Sequence, residues 1–360
     1  MVFIGIGLNI VNLDGHMITD NYSSIIETVG NTPLIKLEKI SEETKCDIYG
    51  KAEFFNPGQS VKDRIALSII THALDNGYIS KGGIIVEGTA GNTGIGLSII
   101  GRCLGLKTIV VMPNNQSQEK KEALSLAGAT IVEVPPTRYS DNNHYTHYAK
   151  RLANVLNKQE SCGAYWANQF DNTVNMDAHY RTTAMEIWDQ TNGNIDGFVC
   201  SVGSGGTLAG VSAGLKERKK DIKCAIADPY GSSLYSYYKY GVLEAEGNSI
   251  MEGIGQSRIT ANLHGTTLDM AYRINDAEAI KYLLQLLHEE SLCLGGSSGI
   301  NVAGAVELAK QLGPGKTIVT MLCDHGSRYA SKLFNNDFLK QHNLPEISQK
   351  TNMCIPDVLE

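Results

Sequence analysis

The fold class predicted for this chain is α/β, with mostly parallel sheets in layers. Three observations predict it. Short apolar runs rich in Val and Ile alternate with amphipathic helical patterns, the arrangement of parallel strands joined by crossover helices. At three places a glycine-rich loop stands before a helix, twice directly after a strand. At 360 residues the chain exceeds what one hydrophobic core usually organises, so two lobes are expected.

In chain order, GGIIVEG (82–88) reads as a strand, followed by a glycine loop and a helix from about Gly94. LKTIVVMP (106–113) is the next strand, and SQEKKEALSLAG reads as a helix that Gly128 ends. ATIVEVP (129–135) is a third strand. PPTRYSDNNHYTHYAK (135–150) reads as a long polar connection leading into a helix. GFVCSV (197–202) is a strand, GSGGT a turn and LAGVSAGLKERK a helix. CAIADP (224–229) and KTIVTMLCD (316–324) are further strands, with a helix over 277–290 between them. No repeat period or low-complexity tract interrupts the pattern.

Composition narrows the function. Hydrophobic residues make up 42% and charged residues 19%, the profile of a globular protein. The formal charge of −7 and the lack of a basic run argue against nucleic acid or an anionic membrane surface as partner. The eight cysteines are widely spaced, form no C-x-x-C pair and mostly sit in apolar segments. They read as buried thiols of a reducing, cytoplasmic compartment, and neither as a disulfide scaffold nor as a zinc site. His144 and His147 lie three apart, but no third ligand is near, so that segment reads as solvated surface and no metal site is expected. VFIGIGLNIV (2–11) is much shorter than the ~20 residues of a membrane span. The first basic residue is Lys36, which suits neither a secretory signal nor a transit peptide. Residues 1–16 are therefore expected to be a leader or flexible arm, with Met17 as an alternative start.

The glycine loops carry the chemistry. GTAGNTG (88–94) presents small residues at a helix N-terminus, where backbone N–H groups and the helix dipole favour an anion such as a carboxylate. It lacks the G-x-G-x-x-G pattern of dinucleotide sites. GSGGT (203–207) has the same setting, and its glycines and two hydroxyls suit a phosphate monoester; it lacks the Lys-Ser/Thr ending of a nucleoside-triphosphate loop. GGSSG (295–299) opens a third helix, with serines that either cap it or meet a ligand. Taken alone, each loop is also compatible with a plain turn. Lys62, in NPGQSVKDR (56–64), is either an ordinary charge in the first turn of a helix capped by Ser60 or a reactive amine. A lysine that attacks an aldehyde must reach its neutral form, which burial and nearby positive charge favour, and Arg64 is the nearest cation in sequence. A phosphate loop, a carboxylate loop and a reactive lysine in one α/β chain together suggest pyridoxal phosphate.

The chain resembles the cysteine synthase (O-acetylserine sulfhydrylase) / cystathionine β-synthase family of fold type II pyridoxal-phosphate enzymes. TVGNTPLIKL (28–37), NPGQSVKDR, GTAGNTGIGL, GSGGT, MEGIG (251–255) and GGSSG resemble the family's motifs and occur in its order over roughly residues 25–335. The resemblance implies a two-lobed, tryptophan-synthase-β-like architecture with the cofactor in the cleft. The smaller mobile substrate lobe would span 61–165, the larger cofactor lobe 17–60 plus 166–340, and a tail 341–360. Lys62 is implied as the Schiff-base lysine and the proton shuttle at the substrate α-carbon. Asn92 would meet the cofactor's ring hydroxyl, Gly203, Ser204, Gly205, Gly206 and Thr207 its phosphate, and Ser297 its ring nitrogen. Thr89, Ala90, Gly91, Asn92 and Thr93 would bind the substrate carboxylate, with Gln169 as a second contact and Gly253 on the mobile turn. A neutral serine at the ring nitrogen gives a weaker electron sink than an aspartate and so favours β-elimination over transamination.

The implied reaction is β-replacement, making L-cysteine from O-acetyl-L-serine and sulfide through an aminoacrylate. A homodimer and a complex with serine acetyltransferase are implied as partners. A cystathionine β-synthase-like or O-phosphoserine-using enzyme and a non-catalytic regulatory homologue are the alternatives. Three stretches depart from the family pattern: Ala90 where serine is usual, QSRITAN (256–262) in place of an aromatic-containing sequence, and Ala184-Met185 where Gly-Pro is frequent. The first two bear on the substrate.

Overall fold

The structure is a computed structural model that describes residues 22–89 and 91–347. The expected leader, Ala90 and the last thirteen residues of the tail lie outside the described residues. From the N-terminus come β1 (Leu34–Lys36), α1 (Glu38–Thr44), β2 (Asp47–Ala52) and α2 (Lys62–Asp75). Next are β3 (Ile84–Gly88), α3 (Asn92–Cys103), β4 (Lys107–Pro113), α4 (Gln118–Ala127), β5 (Thr130–Val134), α5 (Tyr145–Gln159) and β6 (Ala164–Trp166). The chain continues through α6 (Val174–Arg181), α7 (Thr183–Gln190), β7 (Gly197–Cys200), α8 (Gly206–Arg218), β8 (Lys223–Pro229) and α9 (Leu234–Tyr240). It ends with β9 (Met270–Ile274), α10 (Asp276–Glu289), α11 (Gly296–Leu312), β10 (Thr317–Leu322) and α12 (Asn336–Gln341).

Two sheets organise these elements. The six-stranded sheet runs β1-β2-β10-β7-β8-β9 and the four-stranded sheet β5-β4-β3-β6. Every pairing is parallel except β1 with β2. β7 and β10 are buried at every residue, which explains their unbroken apolar runs: a parallel sheet covered by helices on both faces has no solvent side. Gly304 of α11 lies so close to the sheet that an added Cβ would stand 2.5 Å from the Ala227 methyl, so a small residue is obligatory at that contact. α4 stops where expected, at Gly128, whose φ of 97° is the left-handed conformation of a helix C-cap.

Two surface expectations are corrected. Cys46, Cys200 and Cys224 are buried free thiols, but Cys103 is exposed and Cys162, Cys293 and Cys323 are half-buried. Cys103 is the last residue of α3, where the helix surfaces. The segment before α5 is not solvated throughout: His144 is buried, and its ring caps α5 by accepting from the Thr146 N–H. Among the described residues no group of His, Cys, Asp and Glu is placed to hold a metal ion, and no helix is long and apolar enough to cross a membrane.

Candidate active site

A cavity of about 390 Å³ lies between the two sheets, at the C-terminal ends of β3, β7 and β10. It brings together Lys62, the loop at Thr89 to Thr93, Gln169, the loop at Gly203 to Thr207, Gly253 and Ser297. Two of the sequence-derived site residues are not among those seen to line it. Ala90 lies outside the described residues, and Gly206 sits behind the wall, where a Cβ would fall 2.0 Å from Asn175 Oδ1.

Lys62 is the first residue of α2 and is half-buried. Its N–H donates to Ser60 Oγ at 3.3 Å, but the N-cap of α2 is Val61 rather than the expected Ser60, and Lys62 lines the cavity. The sequence leaves open which way Arg64 points. Arg64 turns away from the cavity into a buried cluster, bonding Glu53 at 2.7 and 2.8 Å and Glu186 at 2.6 and 2.7 Å. Lys51 completes the cluster, 2.6 Å from Glu186. Burial opposes ionisation of Glu186, but Arg64 and Lys51 outweigh it and hold the carboxyl at about 2.

The first glycine loop joins β3 to α3. Thr93 donates to Gln169 Oε1 at 2.7 Å, so the two expected substrate contacts are one hydrogen-bonded unit. Behind it, Glu87 accepts from the N–H of Asn168 at 2.8 Å; burial pushes this carboxyl up to about 8. Asn92 is on the wall with both ends of its amide engaged. Nδ2 donates to Asp324 Oδ2 at 2.7 Å and Oδ1 accepts from Arg328.

The GSGGT loop (203–207) joins β7 to α8. Gly205 has φ 91°, and a Cβ on Gly203 would approach Gly253 O to 2.4 Å, so the backbone itself forms this wall. The α8 N-terminus adds unpaired N–H groups. Ser201 Oγ, on the same wall, is buried without a hydrogen-bond partner. A glycine cradle at a helix N-terminus, an orphan hydroxyl and a lysine amine in one cavity fit pyridoxal phosphate. The serines of the third loop do not cap α11. Ser298 accepts from Cys323 N–H at 3.0 Å, while Ser297 lines the cavity.

Sequence reasoning missed three contributors. Asp324 is buried on the cavity wall, and burial raises its carboxyl above the usual range. Tyr329 OH donates to Asp324 Oδ2 at 2.6 Å. His179 is buried between Thr183 at 2.9 Å and the phosphate-loop Thr207 at 3.1 Å; burial first, then the charge of Arg64, lower its pKa to about 3, so the ring that holds Thr207 is neutral. A carboxylate beside the apolar strand MLC was the one available signal for Asp324. None marked His179.

The family profile of the pyridoxal-phosphate dependent enzymes matches residues 25–324. Cysteine synthase 1 of Neurospora crassa is 48% identical over 89% of this chain and 87% of its own length. Cysteine synthase of Dictyostelium discoideum is 45% identical over 92% of this chain and 89% of its own. Among solved structures, an O-acetylserine dependent cystathionine β-synthase from Helicobacter pylori superimposes with a TM-score of 0.76 at 31% identity, covering 87% of this chain and 99% of that one. The two-lobed α/β architecture is thus that of fold type II. The chain belongs to the cysteine synthase family of pyridoxal-phosphate-dependent enzymes.

Proposed function

We propose that this enzyme makes L-cysteine from O-acetyl-L-serine and sulfide by β-replacement, with Lys62 as the amine that carries the cofactor. The supporting observation is the shared cavity: Lys62, the phosphate cradle and the Thr93–Gln169 unit line one space. Pyridoxal phosphate supplies the electron sink for the negative charge at the substrate α-carbon. The backbone of Gly203 to Thr207 and the Thr207 hydroxyl would hold its phosphate, and Ser297 would offer the ring nitrogen a neutral partner. The N–H groups of Gly91 to Thr93, with Gln169, bind and orient the substrate carboxylate. Lys62 Nζ would take the substrate α-proton as general base. Acetate leaves the β-carbon, hydrosulfide adds there, and Lys62 returns the proton to the α-carbon. The lobe of 61–165 closes over bound substrate and excludes water.

Titration of the purified protein with O-acetylserine and then sulfide, followed by absorbance and a cysteine assay, tests this reading. A visible band that shifts with the donor and recovers as cysteine appears supports it. No spectral change with O-acetylserine, but one with serine or phosphoserine, overturns the donor. Cystathionine formation shares the first half of the chemistry and differs in the nucleophile, so homocysteine in place of sulfide tests it in the same cuvette. The homodimer and the serine acetyltransferase complex are tested by sedimentation of the protein alone and with that enzyme.

A further inference from the structure

QSRITAN (256–262) departs from the family pattern, yet none of its residues lines the cavity. Its side chains reach the cavity walls from behind. Arg258 makes two parallel bonds to Asp171, each 2.9 Å, and Asp171 also accepts from the Ala261 N–H at 3.0 Å. The same guanidinium lies 6.0 Å from the ring centre of Phe170, which lines the cavity, and 5.3 Å from that of Tyr139 on the segment before α5. Asn262 is buried; its Nδ2 donates to Gln169 O at 2.9 Å and to Phe170 O at 2.7 Å, and its Oδ1 accepts from Met176 N–H. Thr260, fully buried, donates to Ser204 O at 2.8 Å. Asn175 closes the circuit by donating to both Gln169 O and Ser204 Oγ, each at 2.8 Å.

We propose that Arg258, Thr260 and Asn262 form a positioning strap that sets the two halves of the site separately. Thr260 sets the phosphate loop through Ser204, Arg258 sets the substrate wall through Asp171 and Phe170, and Asn262 holds the Gln169 carbonyl, the acceptor it shares with Asn175, which reaches on to Ser204. The inference rests on the assignment of phosphate to the Ser204 side and amino acid to the Gln169 side. The physical basis is direct. The Ser204 and Gln169 carbonyls belong to loops, where backbone position follows its hydrogen bonds. Removing a buried donor leaves such a carbonyl unpaired and lets the loop shift. A small displacement at a binding loop is enough to change affinity without unfolding the protein.

The test separates two readouts in the holoenzyme: the rate of cofactor loss under dialysis, followed by visible absorbance, and the KM for O-acetylserine. Thr260→Val is expected to lose cofactor about tenfold faster, with KM within about twofold of the parent. Arg258→Met, which keeps the stem but removes the ion pair, is expected to raise KM about tenfold and leave cofactor loss unchanged. Arg258→Lys retains one charged bond and is expected to fall between. Both variants moving both readouts together, in proportion to a lowered melting temperature, overturns the strap and leaves a purely structural role. Thr207→Val serves as the control. If it leaves cofactor loss unchanged, the assignment of the phosphate loop fails. If it accelerates loss while Thr260→Val does not, the strap alone fails.

Discussion

Asn92 and Asp324 meet across the cleft, with Asn92 Nδ2 donating to Asp324 Oδ2 at 2.7 Å. Asn92 starts α3, beside the four-stranded sheet, and Asp324 stands just past β10 in the six-stranded one. The backbone of Asp324 bridges to Ser60 and accepts from the Gly295 N–H at 3.1 Å. One residue thus touches the lysine stretch, the start of α3 and the GGSSG loop. Asp324→Ala keeps the backbone ties but frees Asn92. Its kcat/KM for O-acetylserine is expected to fall about tenfold to a hundredfold. Steady-state kinetics check this; an unchanged kcat/KM refutes the role.

Lys62→Ala removes the amine from a half-buried position at a helix start, where alanine is well tolerated. Cysteine synthesis is expected to drop by at least about a thousandfold while the urea midpoint stays near that of the parent. Turnover near the parent's rate would remove Lys62 from the chemistry.

The Glu53–Arg64–Glu186 cluster joins the turn just after β2 to α2 and α7, and Arg64 and Glu53 are almost completely buried. Arg64→Met leaves two carboxylates without their guanidinium, facing Lys51 alone. A loss of about 3–5 kcal/mol is expected in equilibrium unfolding, as when one partner of a buried pair is removed. A loss below about 1 kcal/mol would mean that the cluster is hydrated and weak.

Stability should also fall on the alkaline side. Glu87 has a usual value of 4.5 and is raised by burial to about 8. Asp63 is likewise raised by burial, from 3.8 to about 7. For a raised acid the native state binds the extra proton, so the stabilisation is complete below the unfolded value and is lost as pH rises through the folded one. Between about pH 5 and 9 the urea midpoint of the parent is expected to decline. Glu87→Gln, neutral throughout and still able to accept from Asn168, is expected to decline less. Parallel curves for the two proteins would show that Glu87 does not titrate in this window.

The local elements of the site were legible because their causes are local. Gly205 is required by its own positive φ, and the apolar runs at β3, β7 and β10 follow from burial on both faces, whereas the contact that requires Gly203 is a tertiary one, with Gly253 O. β1 and β6, at three residues each, are too short to show any period. QSRITAN pointed to the substrate side, but only the folded chain shows that it acts through Asp171, Gln169 and Ser204.

By itself the sequence determined the strands β3, β4, β5, β7, β8 and β10, though not β1, β2, β6 or β9, and that the chain carries Lys62 together with glycine loops suited to a phosphate and a carboxylate. The tertiary structure decided the partners. Arg64 was near Lys62 in sequence, yet its guanidinium is spent on Glu53 and Glu186. Asp324 is 232 positions from Asn92 and bonds to it. The physical reason is that periodicity and glycine content report backbone shape and burial, which neighbouring residues set. The direction and partner of a polar side chain depend on sheet order, and β10 enters between β2 and β7 only when the whole six-stranded sheet is assembled.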